Sequence, residues 1–246
     1  LQANKVFAKQ DKPFFSIIQT ADNHRPFTIP SQDTNDFKRE MISQEELDKY
    51  GFESINEFNA FRYADYCFQK FIEAAKKETY FDNTIFVFVG DHGVSGDAKN
   101  IYPKAWTEQR LTEEHVPLLF YAPKLLAPQK NEATVSQIDV LPTIAGLAGQ
   151  TYSNTTLGRD VLHDTSGNHY AFIISHDEGR IGMITDDFVF TKNLNFKQEE
   201  VHFLKDNVSY SSGQVDSIKT KMSTFTSAFY ETARWMLVHN KKTGNE

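Results

Sequence analysis

The stretch "TIFVFVGDHG", residues 84–93, indicates the fold class and contains the first candidate site. Residues 85–89 are apolar without polar alternation, as is typical of a parallel strand covered on both faces. Asp91 and His92 follow this strand between two glycines, which permit a sharp turn. Side chains at the carboxyl ends of parallel strands converge on the ligand-binding crevice of α/β proteins. Because carboxylate and imidazole both bind zinc or manganese, the pair is a candidate metal site. The alternative is a turn in which Asp91 caps the next segment and His92 is solvated.

Further strands and helices extend this pattern over the first 150 residues. "PFFSIIQT" (13–20) and "VPLLFYAP" (116–123) each predict a buried strand. The capping-box spacing of "SQEE" and "SINE" predicts helix starts at Ser43 and Ser54. "SQIDVLPTIAGLAG" predicts another helix, with Asp139 as its cap. Alternating strands and helices predict a layered α/β domain with a mostly parallel sheet flanked by helices.

The pattern of predicted elements changes after "LGRDVL". Short strands separated by turn residues predict an antiparallel sheet, and apolar residues at helical spacing from Val215 to Met236 predict a long amphipathic helix. Packing of this helix on the sheet is favoured over a membrane-surface helix. The predicted division is a core over residues 1–164 and a small antiparallel lobe over residues 165–246.

Composition excludes several classes of function. The 26 Lys and Arg residues against 33 Asp and Glu residues give a net charge of −7 without a basic block, so a nucleic-acid partner is not expected. No segment of the sequence reaches the length and apolarity of a membrane span. The single cysteine, Cys67, excludes an intrachain disulfide and is interpreted as a small buried hydrophobe.

A second candidate site residue is His24 in "NHRPF", which follows the predicted strand over residues 13–20. Arg25 beside it has a guanidinium fork suited to an anionic oxygen. A histidine in each of two strand-end loops, with a carboxylate in one of them, suggests metal-assisted chemistry on a phosphate or sulfate ester. Loop positions without a site role are the favoured interpretation of His115 and Asp97, and a turn between two strands is favoured for Asp186 and Asp187.

Five ordered motifs carry a family resemblance. "FFSIIQTADNHRPF", "YFDNTIFVFVGDHG", "HVPLLFYAP", "QIDVLPTIAGLAG" and "LGRDVL" resemble the later part of a sulfatase-type domain of the alkaline phosphatase superfamily. Within it, the chain looks most like lipoteichoic acid synthase-like phosphoglycerol transferases. The resemblance implies an alkaline phosphatase-like fold that is incomplete here. It also implies that Asp91 and His92 bind a catalytic divalent metal, manganese or zinc or possibly magnesium, and that His24 contacts the substrate phosphate.

The resemblance also implies what lies upstream of these motifs. Family members have a threonine nucleophile and a further carboxylate ligand there, so the chain is expected to be truncated and inactive alone. Thr20 is a much weaker candidate for the nucleophile. The implied reaction is a phospho-group transfer to or from a phospholipid or glycan at the outer face of the bacterial cytoplasmic membrane, with N-terminal helices as the anchor. The alternatives are a sulfatase or phosphatase acting on small esters and a non-catalytic anion- or glycan-binding domain.

Overall fold

The computed structural model describes residues 1–21, 23–205 and 208–240. The chain divides into two compact units, Leu1–Gln129 and Lys130–Glu246. None of the described helices has the length and apolar character needed to span a membrane.

The first unit contains five α-helices, two short 3-10 helices and two strands in the described residues. Two of the α-helices begin where the capping-box spacing predicts, because Ser43 accepts a hydrogen bond from the Glu46 amide and Ser54 accepts one from the Glu57 amide. The elements are α1 (Gln2–Phe7), α2 (Gln44–Lys49), α3 (Ile55–Ala75), β1 (Phe86–Val89), α4 (Lys104–Glu108), α5 (Leu111–Glu114) and β2 (Leu118–Tyr121).

Strand β1 lies where the sequence predicts a strand, but its pairing differs from the expected parallel one. It pairs antiparallel with β2, in a register that aligns Phe86 with Tyr121 and Val89 with Leu118. In the described residues these two strands form a separate two-stranded sheet, so β1 has a neighbour on one side only. Its apolar composition reflects packing of Phe86 against Ala75 and Phe81, whereas Val89 is 47% exposed. A run of apolar residues therefore identified a strand but not its partners.

The segment over residues 13–20 is not the buried strand that its composition predicts. It forms no strand, and all eight residues are exposed. Phe14 has an aromatic neighbour, since its ring stacks on Phe7 at 5.0 Å, but Ile17 is 81% exposed. A strand requires hydrogen-bonded neighbours as well as β-branched side chains, and no described strand pairs with this segment.

The second unit confirms the predicted antiparallel sheet and long helix. The sheet has the order β3-β4-β5-β6, and every neighbouring pair is antiparallel. Met183 and Phe190 on the sheet pack against Met222 of the last helix, as expected for an amphipathic helix that covers a sheet. The elements are α6 (Val140–Leu147), β3 (Tyr170–Ser175), β4 (Arg180–Thr185), β5 (Phe188–Asn193), β6 (Glu199–Phe203) and α7 (Ser212–His239).

The division after Gln129 differs from the predicted boundary between residues 164 and 165. Asp139, which directly precedes α6, is buried and accepts hydrogen bonds from the Arg159 backbone at 2.8 Å and from the Arg159 guanidinium at 3.2 Å. The guanidinium also lies 4.1 Å from the ring centroid of Tyr170 at the start of β3. These contacts join α6 and "LGRDVL" to the antiparallel sheet, whereas the sequence prediction assigned both to the core over residues 1–164.

Candidate functional site

Asp91 and His92 lie directly after β1, and both are exposed to solvent. The His92 amide donates a hydrogen bond to Asp91 Oδ1 at 2.9 Å, so this carboxylate is oriented toward the backbone of its neighbour. The two side chains therefore sit at one strand end on a locally ordered turn, which fits both a metal site and the alternative capping turn.

The flanking glycines are required by close approach of the backbone. A Cβ at Gly93 would lie 1.9 Å from the carbonyl oxygen of Thr112, and a Cβ at Gly90 would lie 2.8 Å from Cβ of Val116. The Gly93 amide donates to the Glu113 carbonyl oxygen at 2.7 Å. Neither glycine has a positive φ, so the sharp turn expected from the sequence is not the reason that glycine is needed at these positions. The reason is the close packing of the backbone against residues 112–117.

The ring of His92 is held in a defined tautomer. Its Nδ1 lies 2.8 Å from the Gly93 carbonyl oxygen. A carbonyl oxygen only accepts, so Nδ1 carries the hydrogen and Nε2 of the neutral ring keeps its lone pair. This is the arrangement found in metal-binding histidines, in which a backbone carbonyl orients the ring from the other nitrogen.

A second carboxylate, that of Glu113, lies near this turn and is already paired. Arg110 Nε and Nη2 each donate to it at 2.8 Å. This two-pronged contact lowers the pKa of the Glu113 carboxyl, and Ser95 and His92 lower it further. The carboxylate is therefore ionised and neutralised by Arg110, which makes it a weaker ligand than an unpaired one.

His24 lies in a loop, as predicted, and is exposed. Its Nδ1 lies 2.8 Å from the Arg25 carbonyl oxygen, so Nδ1 carries a hydrogen and Nε2 is the nitrogen left to meet a ligand. The Arg25 guanidinium pairs with the Glu53 carboxylate, and both side chains are substantially exposed. Arg25 is therefore engaged, in contrast to its suggested role as a fork for an anionic oxygen.

The connection between α2 and α3 touches both candidate loops. Glu53 pairs with Arg25 beside His24. Two residues earlier, Gly51 packs against the loop that follows His92, since a Cβ at Gly96 would lie 3.0 Å from the Gly51 carbonyl oxygen. This connection thus links the loop of His24 to the loop that extends from Asp91 and His92. Their sharing of one binding crevice stays a prediction.

A divalent metal is implied for this site, and the donors present fit it in kind. Carboxylate oxygen and imidazole Nε2 suit manganese or zinc. Across the described residues, no group of three or more His, Cys, Asp or Glu side chains is arranged to hold a metal ion. Catalytic zinc usually takes three protein ligands, so Asp91 and His92 would form part of a site.

His115 and Asp97 each have partners nearby in the sequence. His115 packs edge-on against Trp106 at 5.1 Å and against Tyr102 at 5.9 Å. Asp97 accepts from the Lys99 ammonium at 2.6 Å, and this contact lowers the pKa of the carboxyl. Asp186 and Asp187 form the predicted turn between β4 and β5.

One polar cluster in the second unit was missed by the sequence analysis. Asp186 accepts from Thr134 Oγ1 and pairs with Nδ1 of His169, both at 2.6 Å. Burial raises the pKa of Asp186, but the hydrogen bonds from Thr134 and His169 outweigh it and the net shift is downward. The partners lie 52 and 17 residues away in the sequence, so no local spacing indicates them.

Two solved structures share the fold of this chain. One is a lipoteichoic acid synthase of Listeria monocytogenes, with a TM-score of 0.58 at 21% identity over 85% of this chain and 52% of that one. Another is a sulfatase-type protein of Bacteroides fragilis, with a TM-score of 0.65 at 16% identity over 94% of this chain and 56% of that one. Together they show an alkaline phosphatase-like α/β fold, which confirms the predicted fold class, although the described strands of the first unit pair antiparallel and not parallel.

The sulfatase family model matches residues 2–150, so the chain belongs to the sulfatase family. A lipoteichoic acid synthase-like protein of Bacillus subtilis is 28% identical over 83% of this chain and 33% of its own length. The lipoteichoic acid synthase of Staphylococcus aureus is 26% identical over 87% of this chain and 31% of its own length. The chain thus spans about a third of the length of these curated relatives.

Proposed function

We propose that this chain is part of a metal-dependent transferase that moves phosphoglycerol or a related phospho group between lipid or glycan substrates. Membership of the sulfatase family supports the enzyme class, and the two relatives named lipoteichoic acid synthase support transfer over hydrolysis. The observation that carries the proposal is the turn after β1, where Asp91 and Nε2 of His92 are presented at a strand end by a backbone that tolerates only glycine at Gly93.

Each residue has a defined task in this proposal. Asp91 and His92 supply two ligands, and the carbonyl of Gly93 fixes the His92 ring. His24 presents Nε2, which, once protonated, donates to a phosphate oxygen while Nδ1 remains bonded to the Arg25 carbonyl. A bound divalent metal would polarise the phosphoryl oxygen and lower the pKa of an attacking hydroxyl. The remaining ligand and the nucleophile are proposed to come from residues outside this sequence, as in the family.

The proposed location is the outer face of the bacterial cytoplasmic membrane. This location rests on the likeness to lipoteichoic acid synthase and to a lipoteichoic acid synthase-like protein. Attachment to the membrane is proposed to be through N-terminal helices.

Manganese binding tests the ligand pair without reference to turnover. Titration of the 246-residue chain with Mn²⁺ at low stoichiometry is expected to broaden the amide resonances of residues 90–93 through weak binding. Asp91→Ala should remove this broadening, because the adjacent imidazole alone holds the ion poorly. Asp97→Ala is the matched control, since it removes an exposed loop carboxylate that is already paired with Lys99. Broadening that follows Asp97 instead of Asp91 would overturn the assignment.

Activity is tested in the same chain extended to the length of its curated relatives. Asp91→Ala is expected to lower release of diacylglycerol from phosphatidylglycerol on the order of 10²–10³-fold or more, since charge stabilisation of the transferring group is lost. The 246-residue chain alone should show no turnover. Hydrolysis of p-nitrophenyl sulfate in place of lipid turnover would favour the sulfatase alternative. Full turnover by the 246-residue chain would contradict the proposed incompleteness.

A further inference from the structure

An open cleft on the first unit carries residues that the proposed function does not use. It lies between α3 and the segment over residues 36–38, and its volume is about 530 Å³. Small-molecule sites commonly have volumes of about 300–1,000 Å³ and combine apolar walls with a few polar groups. None of the residues that line it is Asp91, His92 or His24.

Aromatic side chains form most of the apolar wall. The Phe52 ring meets the rings of Phe58 and Phe61 nearly perpendicularly, at centroid distances of 5.3 and 5.6 Å. Across the cleft, Phe37 lies 5.6 Å from Tyr66. Phe37 is buried, whereas the other four rings are only half-buried. Because the rings hold one another in place, the cleft offers a preformed aromatic surface.

Helical spacing places polar groups on the same face as these rings. Phe58, Arg62, Asp65 and Gln69 follow one another at steps of three or four residues along α3, so they share one stripe of the helix. The buried face of α3 is a different one, which includes Tyr63. These four side chains therefore line the cleft and are not part of the core.

Charged side chains of both signs line the cleft. Asp36 and Asp65 oppose Lys38 and Arg62. Arg62 is engaged, since its guanidinium donates to the Lys38 carbonyl oxygen at 3.0 Å, to Asn59 at 3.2 Å and to the Glu40 carboxylate at 3.4 Å. Within the described part of the chain, the Asp36, Asp65 and Lys38 side chains form no hydrogen bond or ion pair. Their hydrogen-bonding capacity is available to a ligand.

We propose that this cleft binds a neutral carbohydrate, one or two pyranose rings in size. The apolar C–H face of a pyranose packs on aromatic rings, and its hydroxyls match several separate donors and acceptors. Because acids and bases both line the cleft, an ion of either sign would lie near a like charge, which favours a neutral ligand. A cationic ligand is further disfavoured because Arg62 already lies over the rings of Phe37 and Phe58, at 5.3 and 5.9 Å from their centroids.

Saturation-transfer NMR on the 246-residue chain tests the proposal with maltose, cellobiose and N-acetylglucosamine as probes and choline as the cationic comparison. At least one sugar is expected to receive saturation at its ring protons. Asp65→Ala should weaken that binding at least about tenfold, because two hydroxyl contacts are lost. Asp65→Asn should retain most of it, since an amide oxygen still accepts from a hydroxyl.

The controls distinguish loss of sugar binding at the cleft from loss of folding and from effects on the proposed metal site. Glu45→Ala removes an exposed acid of α2 outside the cleft and should leave sugar binding unchanged. Asp91→Ala should leave it unchanged as well, so this proposal does not depend on the metal site. Thermal unfolding confirms that each variant is folded. Binding of choline alone, loss of binding in Asp65→Asn equal to that in Asp65→Ala, or no binding by any of the sugars would overturn the assignment.

Discussion

Replacing Asp139 with alanine is expected to lower the free energy of unfolding of the second unit by about 3–5 kcal/mol. The carboxylate is 1% exposed and accepts from the Ser136 amide and the Arg159 amide, each at 2.8 Å, as well as from the Arg159 guanidinium. Its removal leaves a largely buried arginine whose remaining carboxylate neighbour, Asp164, is partly exposed and lies 3.5 Å away. The cost is large because a poorly compensated buried charge is more expensive than the net value of the pair.

The Arg159 guanidinium has little freedom to compensate for this loss. It also donates to the Tyr170 carbonyl oxygen at 3.2 Å and lies over the Tyr170 ring, and its Nε is buried without a hydrogen-bond partner among the described residues. The side chain is therefore fixed from several sides and cannot swing to solvent without breaking the junction between α6 and β3.

Amide hydrogen exchange at β4 and β5 measures this effect, because it resolves the stability of one unit from that of the other. The matched control is Asp164→Ala, which removes a partly exposed carboxylate 3.5 Å from the same guanidinium. That change should cost no more than about 1 kcal/mol. Equal losses of stability in Asp139→Ala and Asp164→Ala would show that the burial of Asp139 does not add to its contribution.

The second large effect is expected for Gly93→Ala, at about 3 kcal/mol of lost stability in the first unit. The new Cβ would lie 1.9 Å from the Thr112 carbonyl oxygen and 2.9 Å from that of His115. Both atoms belong to the backbone, so no side chain can rotate to make room. The loop after β1 must separate from residues 112–115, which also breaks the hydrogen bond from the Gly93 amide to Glu113.

Trp106 fluorescence reports this change, since the Trp106 ring packs on His115. Trp235 is 58% exposed in the second unit and is replaced by phenylalanine to remove its signal. Gly213→Ala is the control, because a Cβ there meets nothing within 4 Å. Alanine at this helical position should be neutral or slightly stabilising. An unchanged unfolding midpoint in Gly93→Ala would show that the loop has another conformation in solution.

Local sequence signals predicted the features that depend on neighbouring residues. Ser43 and Ser54 cap their helices as their spacing indicates, because a capping box is closed within four residues. Asp186 and Asp187 form the expected turn for the same reason. Asp139 was predicted as the cap of α6 and stands at the N-cap position, but its side chain makes no capping hydrogen bond to that helix; it accepts instead from the Ser136 amide, as the reciprocal partner of the Ser136 capping box.

Features that depend on distant partners could not be predicted. The residues over 13–20 have strand composition, yet no described strand pairs with them, and nothing within the segment reveals this. Arg159, the partner of Asp139, is 20 residues away in the sequence, and Thr134, a partner of Asp186, is 52 residues away. Neither separation follows the period of a helix or a strand. The site was predicted only as far as Asp91, His92 and His24 as candidates, because proximity across loops depends on tertiary structure.

The exposed segment that includes Phe14, Phe15, Ile17 and Ile18 has a consequence for the colloidal behaviour of the chain. It combines aromatic and β-branched residues in a short run that carries no charge and no proline after Pro13, which is the composition of segments that assemble into intermolecular β-structure. We expect the 246-residue chain to self-associate as its concentration rises, which light scattering would detect as growth in particle size. The titrations proposed above therefore require low protein concentrations. Ile17→Lys is expected to reduce self-association, because a charge within such a segment disfavours intermolecular β-structure.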